Sequence, residues 1–161
     1  MAPWRILVMG VSGCGKSNLA AALAQALGAE FVEGDDLHPA ANRAKMAAGT
    51  PLDDADRAPW LDRVASALRD RAPVVVACSA LRRAYRDRLR QAGTLQILYL
   101  RAPEPLVATR LAQRQGHFMP SSLLASQYAT LEPPGPDEAT ALDASLPPSA
   151  LLRAALIALQ G

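Results

Sequence analysis

One eight-residue pattern near the N-terminus constrains this chain more than any other feature. It is the sequence G-x-x-x-x-G-K-[ST], formed by Gly10, Val11, Ser12, Gly13, Cys14, Gly15, Lys16 and Ser17. The apolar run from Arg5 to Met9 predicts a buried strand before it, and residues 18–27 predict a helix after it, ending at Gly28. A strand, a glycine-rich turn and a helix N-terminus form the context in which this pattern binds phosphate groups.

The residue types of this loop suit a nucleotide. Its three glycines can adopt backbone angles that side chains forbid, so that successive N–H groups point at one anion. The following helix adds the positive end of its dipole. We expect Lys16 to reach the β- and γ-phosphates of ATP and the hydroxyl of Ser17 to coordinate Mg²⁺. The alternative, a chance glycine-rich turn, does not account for the strand and helix on either side.

Composition bounds the class of protein. The 161 residues predict one domain, 1–161, with a substantial core. The net charge of +2 is too small to favour nucleic acid as a partner. No apolar run approaches the roughly 18 residues of a membrane span, and no signal peptide is evident, so we expect a cytoplasmic protein. The two cysteines are isolated and predict neither a disulfide framework nor a metal site.

Strand and helix patterns alternate along the chain. The predicted strands are 5–9, 29–33, 73–78, 95–100 and 139–144, the last being the weakest. The predicted helices are 18–27, 39–48, one capped by Asp53 and Asp54, 80–91, 104–115, 121–131 and one from Pro147-Pro148 to Gln160. This alternation predicts a parallel sheet of about five strands with right-handed crossovers, in a three-layer α/β/α fold.

Ligands of a parallel sheet gather at the carboxyl ends of its strands. The second strand leads to Asp35 and His38, and the third to Ser79 and Arg82. Phosphoryl transfer to an alcohol requires a carboxylate near the attacking hydroxyl, and Asp35 is the candidate, the alternative being a turn or capping role. His38 is a candidate contact for substrate hydroxyls. Arg82 is a candidate contact for an acidic substrate.

Two arginines predict a mobile lid. Arg110 and Arg114 are four residues apart and share a helix face, and Gly116 follows them. On a lid they would neutralise charge on the transferred phosphoryl group, whereas the alternative is a solvated helix face. The arginine-rich helix 80–91 could contact nucleic acid, but no aromatic platform accompanies it and the chain is nearly neutral. We therefore expect most of its arginines to be solvated.

The sequence also lacks two familiar signals. The third strand ends in Ala77-Cys78-Ser79, without the acidic residue that many phosphate-loop proteins carry there, and we expect no other strand to supply one. We therefore expect Mg²⁺ to depend on Ser17, on nucleotide oxygens and water, and on Asp35 as a further candidate. No Asn-Lys-x-Asp segment is present, which argues against a GTPase.

Several segments together resemble the small phosphate-loop gluconokinases, which are similar to shikimate and nucleoside monophosphate kinases. The loop at 10–17 resembles their nucleotide loop, and Gly34-Asp35-Asp36-Leu37-His38-Pro39 is similar to their Gly-Asp-x-Leu-His-Pro signature. The blocks at 78–82 and 110–118 follow in the same order, and the resemblance extends from Arg5 to Glu138.

The resemblance implies ATP-dependent phosphorylation of D-gluconate at its 6-hydroxyl by a homodimer with a helical lid at about 114–132. It implies that Asp35 is the base or hydroxyl-orienting group and that Arg110 and Arg114 are lid arginines. Its implied substrate contacts are Arg57, Arg82, His117 and Gln127, which join His38 and Ser79. Two alternatives stay open: a related kinase acting on shikimate or a nucleoside monophosphate, and a nucleotide-binding regulatory module without transferase activity.

Overall fold

The sheet of the computed structural model, which describes residues 3–113 and 121–160, has five parallel strands. They are β1 (Arg5–Met9), β2 (Glu30–Glu33), β3 (Val74–Ala77), β4 (Gln96–Arg101) and β5 (Thr140–Asp143). Their spatial order is β2-β3-β1-β4-β5, with Leu7 opposite both Val76 and Ile97. The strand that delivers the glycine-rich loop is therefore the central one, and its residues Ile6 to Met9 are fully buried, as the apolar run predicts.

Seven α-helices in the described residues connect the strands. They are α1 (Lys16–Leu27), α2 (Ala40–Ala47), α3 (Asp54–Asp70), α4 (Arg83–Leu89), α5 (Glu104–Gln113), α6 (Ser121–Thr130) and α7 (Pro148–Gln160). Short 3₁₀ turns lie at Gly34–Leu37 and Arg90–Ala92. The expected cap of α3 is present as a capping box, in which the side chains of Asp53 and Asp56 accept from each other's backbone N–H.

The core lies on both faces of the sheet because successive strand residues point to opposite sides. Ile6 and Val8 pack on the face covered by α1, α5 and α7, whereas Leu7 and Met9 pack on the face covered by α3 and α4. The predicted three-layer α/β/α fold is confirmed. Of the predicted lid, α6 is described, and residues 114–120 lie outside the described residues.

The start of α4 differs from the prediction. The helical pattern predicts a start at Ala80, but the helix begins at Arg83. Ala80 has a φ of +45°, which is the left-handed region and is incompatible with a right-handed helix. The chain uses residues 78–82 to turn out of β3 before the helix can begin. Within the described residues, no helix is long and apolar enough to cross a membrane.

Candidate active site

The glycine-rich loop between β1 and α1 has the geometry of an anion cradle. Gly15, at the N-cap of α1, has a φ of +98°. Gly10 has a φ of +151°, and a Cβ placed there would lie 2.7 Å from Sγ of Cys14 and 3.0 Å from the carbonyl oxygen of Leu100. Only glycine fits these two positions, because one needs a left-handed backbone and the other also has no room for a side chain.

Lys16 provides the test of whether an anion fits this cradle. The residue is only 6% exposed, and its Nζ donates a 3.5 Å hydrogen bond to the carbonyl oxygen of Val11. No carboxylate in the described part of the chain forms an ion pair with it. A buried ammonium with only a carbonyl partner is costly, and a phosphate group beside it would remove that cost. The residues present therefore fit a nucleotide phosphate.

The hydroxyl of Ser17 donates a short hydrogen bond to the carboxylate of Glu33, at the end of β2. The other oxygen of that carboxylate accepts from the backbone N–H of Asp35 at 3.4 Å. The expectation that no strand ends in a usable acidic residue is therefore wrong. The sequence does not reveal this contact because it depends on packing: α1 lies across β3 as far as β2 and brings Ser17 to Glu33.

Gly34 separates Glu33 from Asp35 and packs against the backbone of β3. A Cβ at this position would collide with the carbonyl oxygen of Ala77 and lie 3.1 Å from Cβ of Cys78. The carbonyl oxygen of Gly34 also accepts a 2.8 Å hydrogen bond from Nε1 of Trp60. The strand end that carries both carboxylates is thus fixed from two sides.

Beside the phosphate loop, an open cleft contains most of the predicted acceptor-binding residues. Its walls contain Ser12, Asp35, His38, Met46, Thr50, Pro51, Leu52, Arg57, Trp60, Ser79, Leu81, Tyr85, Leu123, Ser126, Gln127 and Thr130. A cleft lined by hydroxyl, carboxylate, amide and guanidinium groups suits a small polar metabolite. The structure thus brings Asp35, His38, Arg57, Ser79 and Gln127 together around one space.

Three other predicted residues are not placed in this cleft. Arg82 is exposed at the N-cap of α4 and is not among the residues of the cleft walls. Arg114 and His117 lie outside the described residues.

Arg57 is held by two residues that sequence reasoning missed. Its Nη1 donates a 2.9 Å hydrogen bond to the hydroxyl of Tyr85, which donates in turn to Oδ1 of Asp54 at 2.6 Å. Burial raises the pKa of Tyr85, and the hydrogen bond to Asp54 raises it further, so the phenol keeps its proton at neutral pH. The guanidinium is thereby oriented at the cleft wall, where it can bind a carboxylate.

A second cleft lies on the other side of the phosphate loop. Its walls contain Gly13, Cys14, Gly15, Asn18, Leu19, Ala22, Arg110, Ala144, Leu146, Pro148 and Leu151. The Arg110 guanidinium donates to the carbonyl oxygens of Cys14 at 3.2 Å and Ala144 at 2.6 Å. Arg110 therefore joins the phosphate loop to the segment after β5. It lies in the wall of this second cleft.

The two cysteines near these clefts are not nucleophiles. Burial raises the pKa of Cys78 to about 12, and burial also raises the pKa of Cys14 above its ordinary value. Both thiols therefore remain protonated at neutral pH, and a thiol is far less nucleophilic than a thiolate. The cleft chemistry rests on oxygen and nitrogen groups.

A buried ion pair supports the loop from β3 to α4. Arg86, only 1% exposed, donates to the carbonyl oxygens of Ala80 at 2.8 Å and Glu132 at 3.0 Å, and to the carboxylate of Glu138 at 2.6 Å. The backbone N–H of Glu132 also donates to the carbonyl oxygen of Leu81 at 2.7 Å. The segment after α6 is thereby fastened to the loop that presents Ser79 to the acceptor cleft.

Known proteins share this arrangement along most of the chain. Residues 6–134 match the AAA domain family. A gluconokinase of Gluconobacter oxydans is 50% identical over 141 residues, covering 84% of this chain and 79% of that protein. The thermoresistant gluconokinase of Escherichia coli is 43% identical, covering 84% of this chain and 81% of that protein.

A solved structure agrees with these relatives. The crystal structure of a gluconokinase from Sinorhizobium meliloti matches with a TM-score of 0.92 and 49% identity, covering 98% of this chain and 92% of that one. Because similarity at this level extends over more than three quarters of both proteins in each pairing, the chain belongs to the gluconokinase family within the AAA domain proteins.

Proposed function

We propose that this protein transfers the γ-phosphoryl group of ATP to the 6-hydroxyl of D-gluconate, giving 6-phosphogluconate and ADP. One observation carries the proposal. The end of β2 presents Glu33 to the phosphate loop and Asp35 to the acceptor cleft, two residues apart. Phosphoryl transfer needs the nucleotide and the attacking alcohol side by side, and this strand end serves both.

The phosphate loop forms the nucleotide side. Its backbone N–H groups and Lys16 would hold the β- and γ-phosphates, and Ser17, supported by Glu33, would hold Mg²⁺. When bound there, Mg²⁺ neutralises charge on the phosphate oxygens. Lys16 supplies further charge stabilisation from a buried position, where electrostatic interactions are stronger than in water.

The acceptor cleft forms the other side. Asp35 is exposed to the cleft and orients the 6-hydroxyl or takes its proton. Arg57 binds the carboxylate of gluconate, with Arg82 as a further contact for that group. His38, Ser79, Gln127 and His117 bind the remaining hydroxyls, because a polyol needs several hydrogen-bond partners.

The lid completes the site in this proposal. It extends over about residues 114–132, and Arg114 at its start and Arg110 on the preceding helix α5 neutralise charge on the transferred group when the lid closes over the nucleotide. We further propose that the protein is a homodimer, as the resemblance to the family implies. We also propose that it is cytoplasmic, as the composition favours.

A coupled assay of ADP formation with ATP, Mg²⁺ and a panel of acceptors tests this function. We expect rapid turnover with D-gluconate and little with shikimate or nucleoside monophosphates, since the relatives at 43–50% identity are gluconokinases. Rapid turnover with another acceptor and none with gluconate would overturn the proposal. ATP binding without ADP formation for any acceptor would point to a regulatory module.

A further inference from the structure

Asn42 on α2 makes two hydrogen bonds with one nitrogen atom. Its Nδ2 lies 2.9 Å from the backbone carbonyl oxygen of Asp56 and 3.1 Å from Nδ1 of His38. The side chains of Asn42 and His38 are deeply buried, the two residues being 2% and 5% exposed. A carbonyl oxygen can only accept, so the carbonyl of Asp56 fixes which end of the amide faces it.

That orientation determines the protonation of His38. The amide nitrogen of Asn42 donates one hydrogen to Asp56 and has its second hydrogen directed at Nδ1 of His38. Nδ1 must therefore accept and carries no proton. An imidazolium has protons on both nitrogens, so this contact selects the neutral ring with its proton on Nε2.

The plane of the His38 ring is also fixed. The ring stacks on Trp60 with centroids 4.1 Å apart and planes 16° apart. Trp60 is held in turn by its hydrogen bond to the carbonyl oxygen of Gly34. His38 is part of the acceptor cleft wall, and within residues 3–113 and 121–160 no acceptor pairs with its Nε2.

We propose that Asn42 is a positioning residue that holds His38 as the Nε2–H tautomer, so that His38 donates a hydrogen bond to an oxygen atom of the acceptor. The inference deepens the proposed function and rests on it for the identity of the acceptor. With its proton on Nε2, His38 cannot take the proton of the attacking hydroxyl at that atom. Asp35 is then the group that receives it.

The charges around His38 agree with a neutral ring. Burial lowers the pKa of His38, Asp35 raises it, and Arg43 and Arg57 lower it, with a net decrease from the ordinary value of 6.5. Arg43 lies on α2 and Arg57 on α3, so the elements on both sides of the ring contribute cations. The ring is therefore neutral at pH 7.

Nitrogen-15 NMR of the wild-type protein tests the tautomer without reference to any substrate. The chain has only two histidines, and the spectrum of H38Q assigns the signals of His38 by their loss. We expect a proton on Nε2 and none on Nδ1 between pH 6.5 and 8. A proton on Nδ1 at pH 7, in either the other tautomer or the imidazolium, would overturn the proposal even if no acceptor were known.

Kinetics test what the tautomer does. In N42D a carboxylate replaces the amide donor and favours a proton on Nδ1 of His38. We expect KM for gluconate to rise roughly three- to tenfold, which corresponds to the loss of about one hydrogen bond. KM for ATP should be unchanged. H38Q keeps a hydrogen-bond donor near the position of Nε2, whereas the side chain of H38N is too short to do so. We therefore expect H38Q to keep most of the affinity for gluconate that H38N loses. An unchanged KM for gluconate in folded N42D would contradict the positioning role.

The two outcomes can be separated. A circular dichroism melt establishes whether N42D is folded, and if it is not, the wild-type spectra still decide the tautomer. Failure of the wild-type protein to use gluconate would overturn the proposed function, and the NMR result would stand on its own.

Discussion

Gln127 on α6 binds Ser12 of the phosphate loop through both ends of its side-chain amide. Its Oε1 accepts from the backbone N–H of Ser12 at 2.7 Å, and its Nε2 donates to the hydroxyl of Ser12 at 2.9 Å. The two residues are 115 positions apart in the chain. The described helix of the predicted lid is thereby joined to the loop that would hold the nucleotide.

Replacing Gln127 tests this link. Q127A removes both hydrogen bonds, and we expect kcat/KM for gluconate to fall roughly three- to tenfold. Q127E places a negative charge against the phosphate loop, so its loss should be larger and should include a raised KM for ATP. Steady-state kinetics measure kcat/KM for gluconate and KM for ATP in both variants. A129S, on the exposed side of the same helix, is the control. Equal kinetics for Q127E and A129S would contradict the link.

Lys16 offers a clean comparison because the chain has only one other lysine, Lys45. K16A removes the buried cation of the phosphate loop, and we expect kcat to fall by about 10²-fold or more, as for other groups that stabilise transition-state charge. K45A removes a partly exposed lysine that pairs with Asp56 at 2.7 Å, and its kcat should stay within about twofold of wild type. Similar kcat values for the two variants would argue against the role of Lys16.

Asp35 and Asp36 are adjacent exposed carboxylates, of which only Asp35 is part of the acceptor cleft wall. We expect D35N to lower kcat by about 10²-fold, within the range of acid–base groups, and D36N to leave it nearly unchanged. Single-turnover measurements with saturating gluconate separate catalysis from binding. If D35N changed only KM, Asp35 would be a binding residue and not an acid–base group.

Glu33 supports Ser17, so its charge should affect the use of the metal. E33Q can still accept the hydrogen bond from Ser17 but lacks the negative charge. We expect the Mg²⁺ concentration for half-maximal activity to rise roughly 10- to 100-fold, the usual cost of losing a group that orients a metal ligand. Titration of activity with Mg²⁺ measures this. E30Q, at the exposed start of β2, is the control, and an unchanged Mg²⁺ requirement in E33Q would refute the role of Glu33.

The Arg86–Glu138 pair should contribute strongly to stability because Glu138 is only 5% exposed in its side chain. E138A leaves a buried guanidinium without its carboxylate, which we expect to lower the free energy of unfolding by about 3–5 kcal/mol. D70A removes the partner of exposed Arg69 and should cost under about 1 kcal/mol. Urea unfolding at pH 7 compares them, and equal losses would contradict the prediction.

The same pair predicts a dependence on pH. Burial would raise the pKa of Glu138, but the hydrogen bonds from Arg86 and Arg90 outweigh it and hold the pKa below its ordinary value of 4.5. The stabilisation is therefore complete above about pH 4.5 and is lost as the pH falls through the lower pKa of the folded state. The difference in unfolding free energy between wild type and E138A should shrink only below that point.

Much of the fold follows from local sequence. The apolar runs predict β1 and β3 to within a residue or two, and the glycine-rich loop is where the pattern predicts it. The clustering of Asp35, His38 and Ser79 follows in part from the rule that ligands collect at strand ends, whereas the place of Arg57 is implied only by the family resemblance. These features depend on residues close together in the chain, which periodicity and motif spacing detect.

The missed features depend on distant residues. The bonds from Arg57 to Tyr85 and from Arg86 to Glu138 join positions 28 and 52 apart. No local pattern distinguishes these arginines from the solvated ones on the same helices. The positive φ of Ala80 was likewise invisible, because nothing in an alanine indicates a left-handed backbone that the surrounding contacts impose.

The crowding around Gly34 limits how this architecture can vary. A side chain at position 34 would collide with the carbonyl oxygen of Ala77, so we expect this glycine, and with it the spacing of the two acids that flank it, to be kept. We therefore expect a change of preferred sugar acid to arise elsewhere, in the part of the cleft wall formed by Met46, Thr50 and Leu52. That wall is where a redesign toward shorter or longer acceptors should begin.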